Sequence, residues 1–321
     1  MWLLRWTGII LFAFAQFGAE AAEKYPASQV RIVAPFPAGG TVDLLAREIA
    51  EGMRERFAIP VIVENRSGAS GIIGSEFVAR SPPDGSTLLI VATHHVINPG
   101  LFKSIPYDTR RDFTPIAMIA SSTPALAVHP AVPAHTVKEL IALALSNPGG
   151  VTYASAGVGG ANHLAGELFK VMASVEMTHI PFQGAAPAMT AVLGGHVSAI
   201  FNSLPTVWPY VENGQLRVLA VTGLKRVESI PDVPTIDEAG VPGFEVLAWF
   251  GLYAPANMPS ATLSVLEQAM RKILAAPRVS DSFHRMGVDT GSMTGDVFTK
   301  FVDAEITKWG EVVSRAHIRP Q

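Results

Sequence analysis

Three glycine-bearing junctions are the places where this sequence could do chemistry. IVAPFPAGGTVDLLAREIA, Ile32 to Ala50, runs from an apolar segment through Pro37-Ala38-Gly39-Gly40 directly into a helical pattern. TYASAGVGGANHLAGELF, Thr152 to Phe169, repeats the arrangement with Ser155-Ala156-Gly157 and Gly159-Gly160 ahead of the helix. HIPFQGAAPAMTAVLGG does so more weakly: Gly184 and Ala185 precede Pro187, a favoured first helical residue, and Gly194 follows the end. The first turn of a helix carries unpaired N–H groups and a partial positive charge, so it can hold an anion without a basic side chain. Lys and Arg are indeed absent from Ile32 to Ala46. Three such junctions could converge on one anion.

Each residue also has a plainer reading. Gly39, Gly40 and Thr41 suit a tight turn with an ordinary N-cap. Asp43 in the first helical turn can stabilise the helix dipole by about 0.3–1 kcal/mol, or it can hold a water, an amine or a ligand hydroxyl. Asn162 and His163 sit near a helix start, where they could face a cleft. His94-His95 follows an apolar strand, at the strand end where α/β proteins tend to bind ligands; a solvated loop is the alternative.

Enzyme signatures come up short. GVGGAN has the first two glycines of the dinucleotide fingerprint, but Asn162 replaces the third. YASAG resembles a nucleophile elbow at Ser155, yet Tyr153 stands where the first glycine belongs. His163 and Glu167 share a helix face at i,i+4, too little for a metal site. No cofactor is expected.

These loops need a scaffold, and the pattern supplies one. Strands are expected at Val30–Pro35, Val61–Glu64 and Ser86–Ala92, with helices at Val42–Arg56 and Ser70–Arg80. The continuous apolar run Ser86–Ala92 reads as a strand buried in a parallel sheet. A second set follows. Its strands are expected at Leu126–His129, Val151–Ser155, Met177–Ile180, Ser198–Phe201 and Val218–Thr222, and its helices at Val137–Ser146, Asn162–Ala173 and Pro187–Leu193. Another extended run, Val246–Tyr253, precedes helices at Thr262–Ala276 and Asp296–Arg315. The alternation predicts an α/β fold in two units. Residues 22–124 with 247–321 form one and residues 125–246 the other, so the chain crosses twice and a cleft lies between two hinged lobes.

The whole chain bounds the function. It has 321 residues, 49% of them apolar and 16% charged, with a net charge of −3 and no cysteine. That composition supports sizeable cores, argues against nucleic-acid binding and excludes disulfide or thiolate chemistry. Arg5, the apolar run Gly8–Phe17 and Ala19-Glu20-Ala21 read as a secretory leader over residues 1–21.

Taken together, these segments resemble the extracytoplasmic solute receptors of tripartite tricarboxylate transporters, the Bug proteins, from about Tyr25 to Ile318. The likeness rests on YPASQVRIVAPFPAGGTVDLLAR, VIVENRSGASGIIG, PPDGSTLL, INPGLFKSIPYD, YASAGVGGANHLAGELF, HIPFQGAAPAMTAVLGGHV, IPDVPTIDEAGVPGFEV and WFGLYAPANMP in that order. It implies a two-lobed Venus-flytrap fold of the type II periplasmic-binding-protein kind. It further implies a small carboxylate held by backbone N–H groups. Pro37 to Asp43 would line one side of the cleft, Ser155 to His163 and the Phe182–Ala185 turn the other. The sequence departs from the family pattern at three points. Phe182-Gln183-Gly184 stands where Tyr-Lys-Gly is common, Gly160 where a serine is common, and Asn202 where an acidic residue is common. The change at 202 argues against amino acids, and together with the change at 183 it points to a less charged ligand, with a surface location for residue 183 as the alternative. The expected role is a monomeric periplasmic receptor serving the membrane subunits of a transporter, or a sensor kinase. The rival is a secreted hydrolase using Ser155.

Overall fold

The computed structural model describes residues 25, 27–155, 157–158, 160–182, 185–316 and 318. The leader and Ala156, Gly159, Gln183 and Gly184 lie outside them.

Strand β1 (Val30–Ala34) enters α1 (Thr41–Phe57) through the first glycine loop, and β2 (Val61–Asn65) pairs parallel with β1. Helix α2 (Ile72–Ala79) leads to β3 (Thr87–Ala92), parallel to β1 on its other side. Helix α3 (His94–Leu101) starts immediately after β3, and β4 (Phe113–Ser122) follows. A second sheet begins with β5 (Pro124–Val128) and α4 (Val137–Ser146). It continues through β6 (Thr152–Ser155), α5 (Ala161–Ala173), β7 (Thr178–Pro181) and α6 (Ala185–Leu193). It ends with β8 (Ala199–Ser203), α7 (Leu204–Glu212) and β9 (Arg217–Val221). Strand β10 (Ala248–Pro255) returns to the first sheet, and α8 (Ser260–Leu274), α9 (Pro277–Arg285), β11 (Asp289–Thr290) and α10 (Asp296–Arg315) complete the chain.

The first sheet has the order β11-β4-β10-β3-β1-β2 and the second β7-β6-β8-β5-β9. Both are mixed. Strand β3 is buried as its apolar run predicts, but only its β1 side is parallel; β10 pairs with it antiparallel. The fold is α/β and two-lobed, of the type II periplasmic-binding-protein kind, with each sheet flanked by helices. Where the chain leaves one sheet for the other, Thr222 holds the strands of passage together. Its amide donates to Pro124 O at 2.9 Å, its carbonyl accepts from the Val246 amide at 2.9 Å, and its hydroxyl lies 2.7 Å from Val246 O.

Apolar spacing sets the packing. Leu45, Ala46, Ile49 and Met53 recur at helical intervals on α1 and are wholly buried, in one cluster with Ile32 of β1, Leu88 of β3 and Leu266 of α8. Each of the Leu, Ile and Met side chains among them contributes about 1.5–3 kcal/mol by leaving water. A second cluster runs from Leu89 and Ile97 through Leu126 and Phe201 to Phe298 and Trp309 of α10, so apolar contact is continuous from one sheet to the other.

One expected boundary and one of two alternatives need revision, and two elements are not among those expected from sequence. The helix expected at Ser70–Arg80 begins only at Ile72, because Gly68, Ala69, Ser70 and Gly71 all adopt positive φ and unwind the approach. His94 and His95 open a helix instead of lying in a solvated loop. Helix α7 forms despite Pro205 and Pro209, since Pro205 sits in the first turn where its missing N–H costs nothing. Strand β4 accommodates Pro115 and pairs over its whole length with β10.

Candidate functional site

At the first junction the N-cap residue is Gly40, with no side-chain cap. The amides of Thr41 and Val42 open α1, where no carbonyl within the helix can accept them. The Gly39 amide is different. It donates to Asp43 Oδ2 at 2.9 Å, and so it is withdrawn from the set of amides a ligand could use. Asp43 is buried and also accepts from Arg47 Nε at 3.0 Å and Asn65 Nδ2 at 3.0 Å. Burial opposes its ionisation, but the bonds from Arg47, Gly39 and Asn65 prevail and hold its pKa below the usual carboxylate range. Asp43 therefore locks the loop from within. Its charge is spent on the protein, which removes the conflict with an anion that the sequence raised.

The second junction is locked by a hydroxyl. Ser155 Oγ accepts from the Gly157 amide at 3.2 Å and lies 2.6 Å from His179 Nε2. His163 stacks on His179 with ring centroids 3.9 Å apart, and Glu167 receives Tyr153 Oη at 2.5 Å and Lys170 Nζ at 2.9 Å. Burial is the main reason that His163 is depressed to about 3 and His179 to about 4, so both rings are neutral at neutral pH. Ser155 and His163 are buried and support the loop from behind. The Ser155–His179 contact has the spacing of a nucleophile and base, but Ser155 has no exposed surface and also donates to Gly157 O at 3.0 Å. At the third junction the Phe182 amide donates to Ser155 O at 3.0 Å, which fastens this turn to the second loop, and Ala185 is exposed at the start of α6.

A cavity of about 430 Å³ lies at the first two junctions, and Phe182 and Ala185 of the third are not among its lining residues. Pro37, Gly40, Thr41 and Val42 line it from the start of α1, Thr93 and His94 from the start of α3, and Ala161 from the start of α5. Phe36, Ala92, Ala248, Trp249 and Phe250 supply the remaining wall. Elements from both sheets thus meet on one space. No described lining residue is Lys, Arg, Asp or Glu. His94 is kept neutral by burial, and its Nδ1 has no hydrogen-bond partner. Asn202, at the end of β8, accepts from Asn162 Nδ2 at 3.1 Å, while its own buried Nδ2 has no partner. A separate hollow of about 480 Å³, between residues 99–112 and Ile306, contains none of the glycine junctions.

Of the site residues expected from sequence, Pro37, Gly40, Thr41 and His94 line the cavity. Ala38 and Gly160 flank it in the chain, Gly39 and Asp43 bond each other, Gly157 lies within the second loop, and Ser155 and His163 are buried. Ala156, Gly159 and Gly184 lie outside the described residues. Sequence reasoning missed Phe36, Thr93, Ala161, Trp249 and Phe250. The signal was present for Thr93 and Ala161, each a neighbour of a residue singled out. Trp249 gave none, because its place depends on β10 lying between β3 and β4.

Residues 45–318 match the family described as tripartite tricarboxylate transporter family receptor. The chain belongs to this family. Protein BugT of Bordetella pertussis is 32% identical over 313 residues, which cover 97% of this chain and 96% of that protein. Among solved structures, R. palustris Rpa4515 with adipate is 35% identical with a TM-score of 0.76, covering 93% of this chain and all of that one. MatC (Rpa3494) from Rhodopseudomonas palustris with bound malate is 30% identical with a TM-score of 0.72, covering 90% and 100%. The family is a class of substrate-binding receptors. Among the described residues no helix is long and apolar enough to cross a membrane.

Proposed function

We propose that this protein is a periplasmic receptor that captures a small organic carboxylate and delivers it, as a monomer, to the membrane subunits of a tripartite tricarboxylate-type transporter. One observation carries this reading: the N-termini of α1 and α5, which follow different sheets, open on the same cavity. Each terminus presents first-turn amides and about half a positive charge. A carboxylate between them satisfies donors from both sides, so its binding favours the closed arrangement of the lobes. The adipate and malate of the two structural neighbours belong to the same chemical class.

The lobes in this proposal are residues 22–124 with 247–321, and residues 125–246, hinged where Thr222 meets Pro124 and Val246. Export follows from the leader at residues 1–21. No covalent step is assigned. Ser155 is fully buried and committed to Gly157, so it serves the loop and not a substrate.

Calorimetric titration of the leader-free protein against carboxylic acids and their primary amides tests this. An acid should bind and its neutral amide should not. Saturation at 100 times the dissociation constant should raise stability by about 2.7 kcal/mol in a thermal melt. Equal binding of acid and amide would remove the anion from the proposal.

A further inference from the structure

Among the described residues that line the cavity, the polar ones sit at the starts of α1 and α3, Ala161 opens α5, and none is charged. Beyond these helix starts the accessible wall is Phe36, Ala92, Ala248 and Phe250, with Val42 and Trp249 buried among the lining residues. The polar side chains on that wall bring no charge. The Thr93 hydroxyl is engaged with the Trp249 backbone, accepting from its amide at 3.1 Å and lying 3.3 Å from its carbonyl. His94 is held neutral by burial, with its ring 5.8 Å from that of Phe36. Arg47, on α1, is bonded to Asp43.

From this wall we infer that the ligand is a monocarboxylate whose remaining body is uncharged and mainly apolar. This rests on the carboxylate reading of the same site. A second carboxylate pointing away from the helix termini would have to shed its water against a mainly carbon wall, with no charged side chain among the described lining residues to replace it. An apolar body gains there what a charged one loses, since its own burial removes hydrocarbon from water. The space equals that of about 14 waters at their share of liquid volume, enough for a six-carbon chain or a single aromatic ring beside the carboxylate. The contrast with the neighbours holding adipate and malate is then one of distal charge, with the anion-binding amides shared.

Matched acids separate the possibilities on the unmodified protein. Titration calorimetry would compare hexanoate with adipate, and benzoate with terephthalate; each pair differs in the distal carboxylate. The monoacid should bind more than tenfold tighter in at least one pair, with the diacid never the tighter partner. If diacids fall within tenfold of their monoacid partners in both pairs, or exceed them, the inference is overturned and carboxylate capture stands. If none of the four acids binds, the carboxylate reading itself falls.

Discussion

Gly40, which lines the cavity, and Gly160, which precedes the lining residue Ala161, occupy the same backbone state. Their φ and ψ are −79° and 166°, and −71° and 160°. Each amide reaches weakly back to the carbonyl three residues earlier, Pro37 O at 3.4 Å and Gly157 O at 3.5 Å. Each carbonyl accepts from the residue four ahead, Leu44 and Leu164, at 3.0 Å. These angles lie in the extended region open to any residue. A Cβ on either glycine would meet only that same carbonyl, at 3.5 Å and 3.6 Å. Glycine at these two positions therefore serves the space in front of the helix and not the path of the chain.

That relationship gives a clean test of the site. Gly40→Val and Gly160→Val should each fold with near-native circular dichroism and melting temperature, and each should weaken carboxylate binding at least tenfold. Gly39→Ala is the contrasting variant. Its φ of 81° is strained for a side chain although the space around it is empty, so it should cost about 1 kcal/mol or more of stability. Unchanged affinity in both valine variants would detach the ligand from these termini.

Asp43→Ala should destabilise the protein by about 2–3 kcal/mol in urea unfolding. The change leaves the Gly39 amide, Arg47 and Asn65 without their common acceptor, and a buried polar group deprived of its partner carries its full desolvation penalty. Because the folded-state pKa of Asp43 is lowered, its contribution is present above the unfolded value and is lost as pH falls through the folded one. The Ala variant should accordingly lose less stability than the parent below about pH 4.

Histidines should dominate the acid response at milder pH. Burial depresses His95 to about 3, His163 to about 3 and His179 to about 4, from an ordinary 6.5. Between those values the unfolded chain binds protons that the folded chain refuses, so stability is full above pH 6.5 and declines as pH drops toward 4. Each histidine contributes a slope of up to about 1.4 kcal/mol per pH unit. Thermal melts at pH 7.5 and 5.0 measure the sum. His95 lies among Tyr107, Phe113 and Tyr253 with neither ring nitrogen bonded, so His95→Phe should flatten the decline. Equal melting temperatures at the two pH values would contradict the assignment.

Much of this was legible in the residues, for identifiable reasons. The strand–glycine–helix junctions are local signals, and Val42, Leu45, Ala46, Ile49 and Met53 spell out one helix face without tertiary help. Proline hid what was missed. Pro99 lies within α3, Pro115 within β4, and Pro205 and Pro209 within α7, where local rules argue against regular structure and packing overrides them. The loop locks were illegible for a different reason. Ser155 meets His179 across 24 residues of sequence, and Asp43 turns back on a backbone amide, which no side-chain pattern announces. The wall of the cavity followed the same rule, since Trp249 and Phe250 reach it only once β10 has crossed back into the first sheet.

Glu305 carries the last expectation, because it joins that wall to the C-terminal helix. It is buried, and its Oε2 accepts from Trp249 Nε1 at 2.9 Å and Trp309 Nε1 at 3.0 Å, while Lys308 Nζ bonds its other oxygen. Lys308 also donates to Glu245 O at 3.3 Å, in the segment leading back to the first sheet. Glu305→Leu would strand two buried indole donors and should cost about 2–4 kcal/mol. Glu305→Gln keeps an oxygen between the indoles and should recover most of that. If Trp249 is held in place for the ligand, the Leu variant should also bind hexanoate several-fold more weakly at a temperature where it remains folded, with the Gln variant close to the parent. A Leu variant of reduced stability and unaltered affinity would confine Glu305 to the fold.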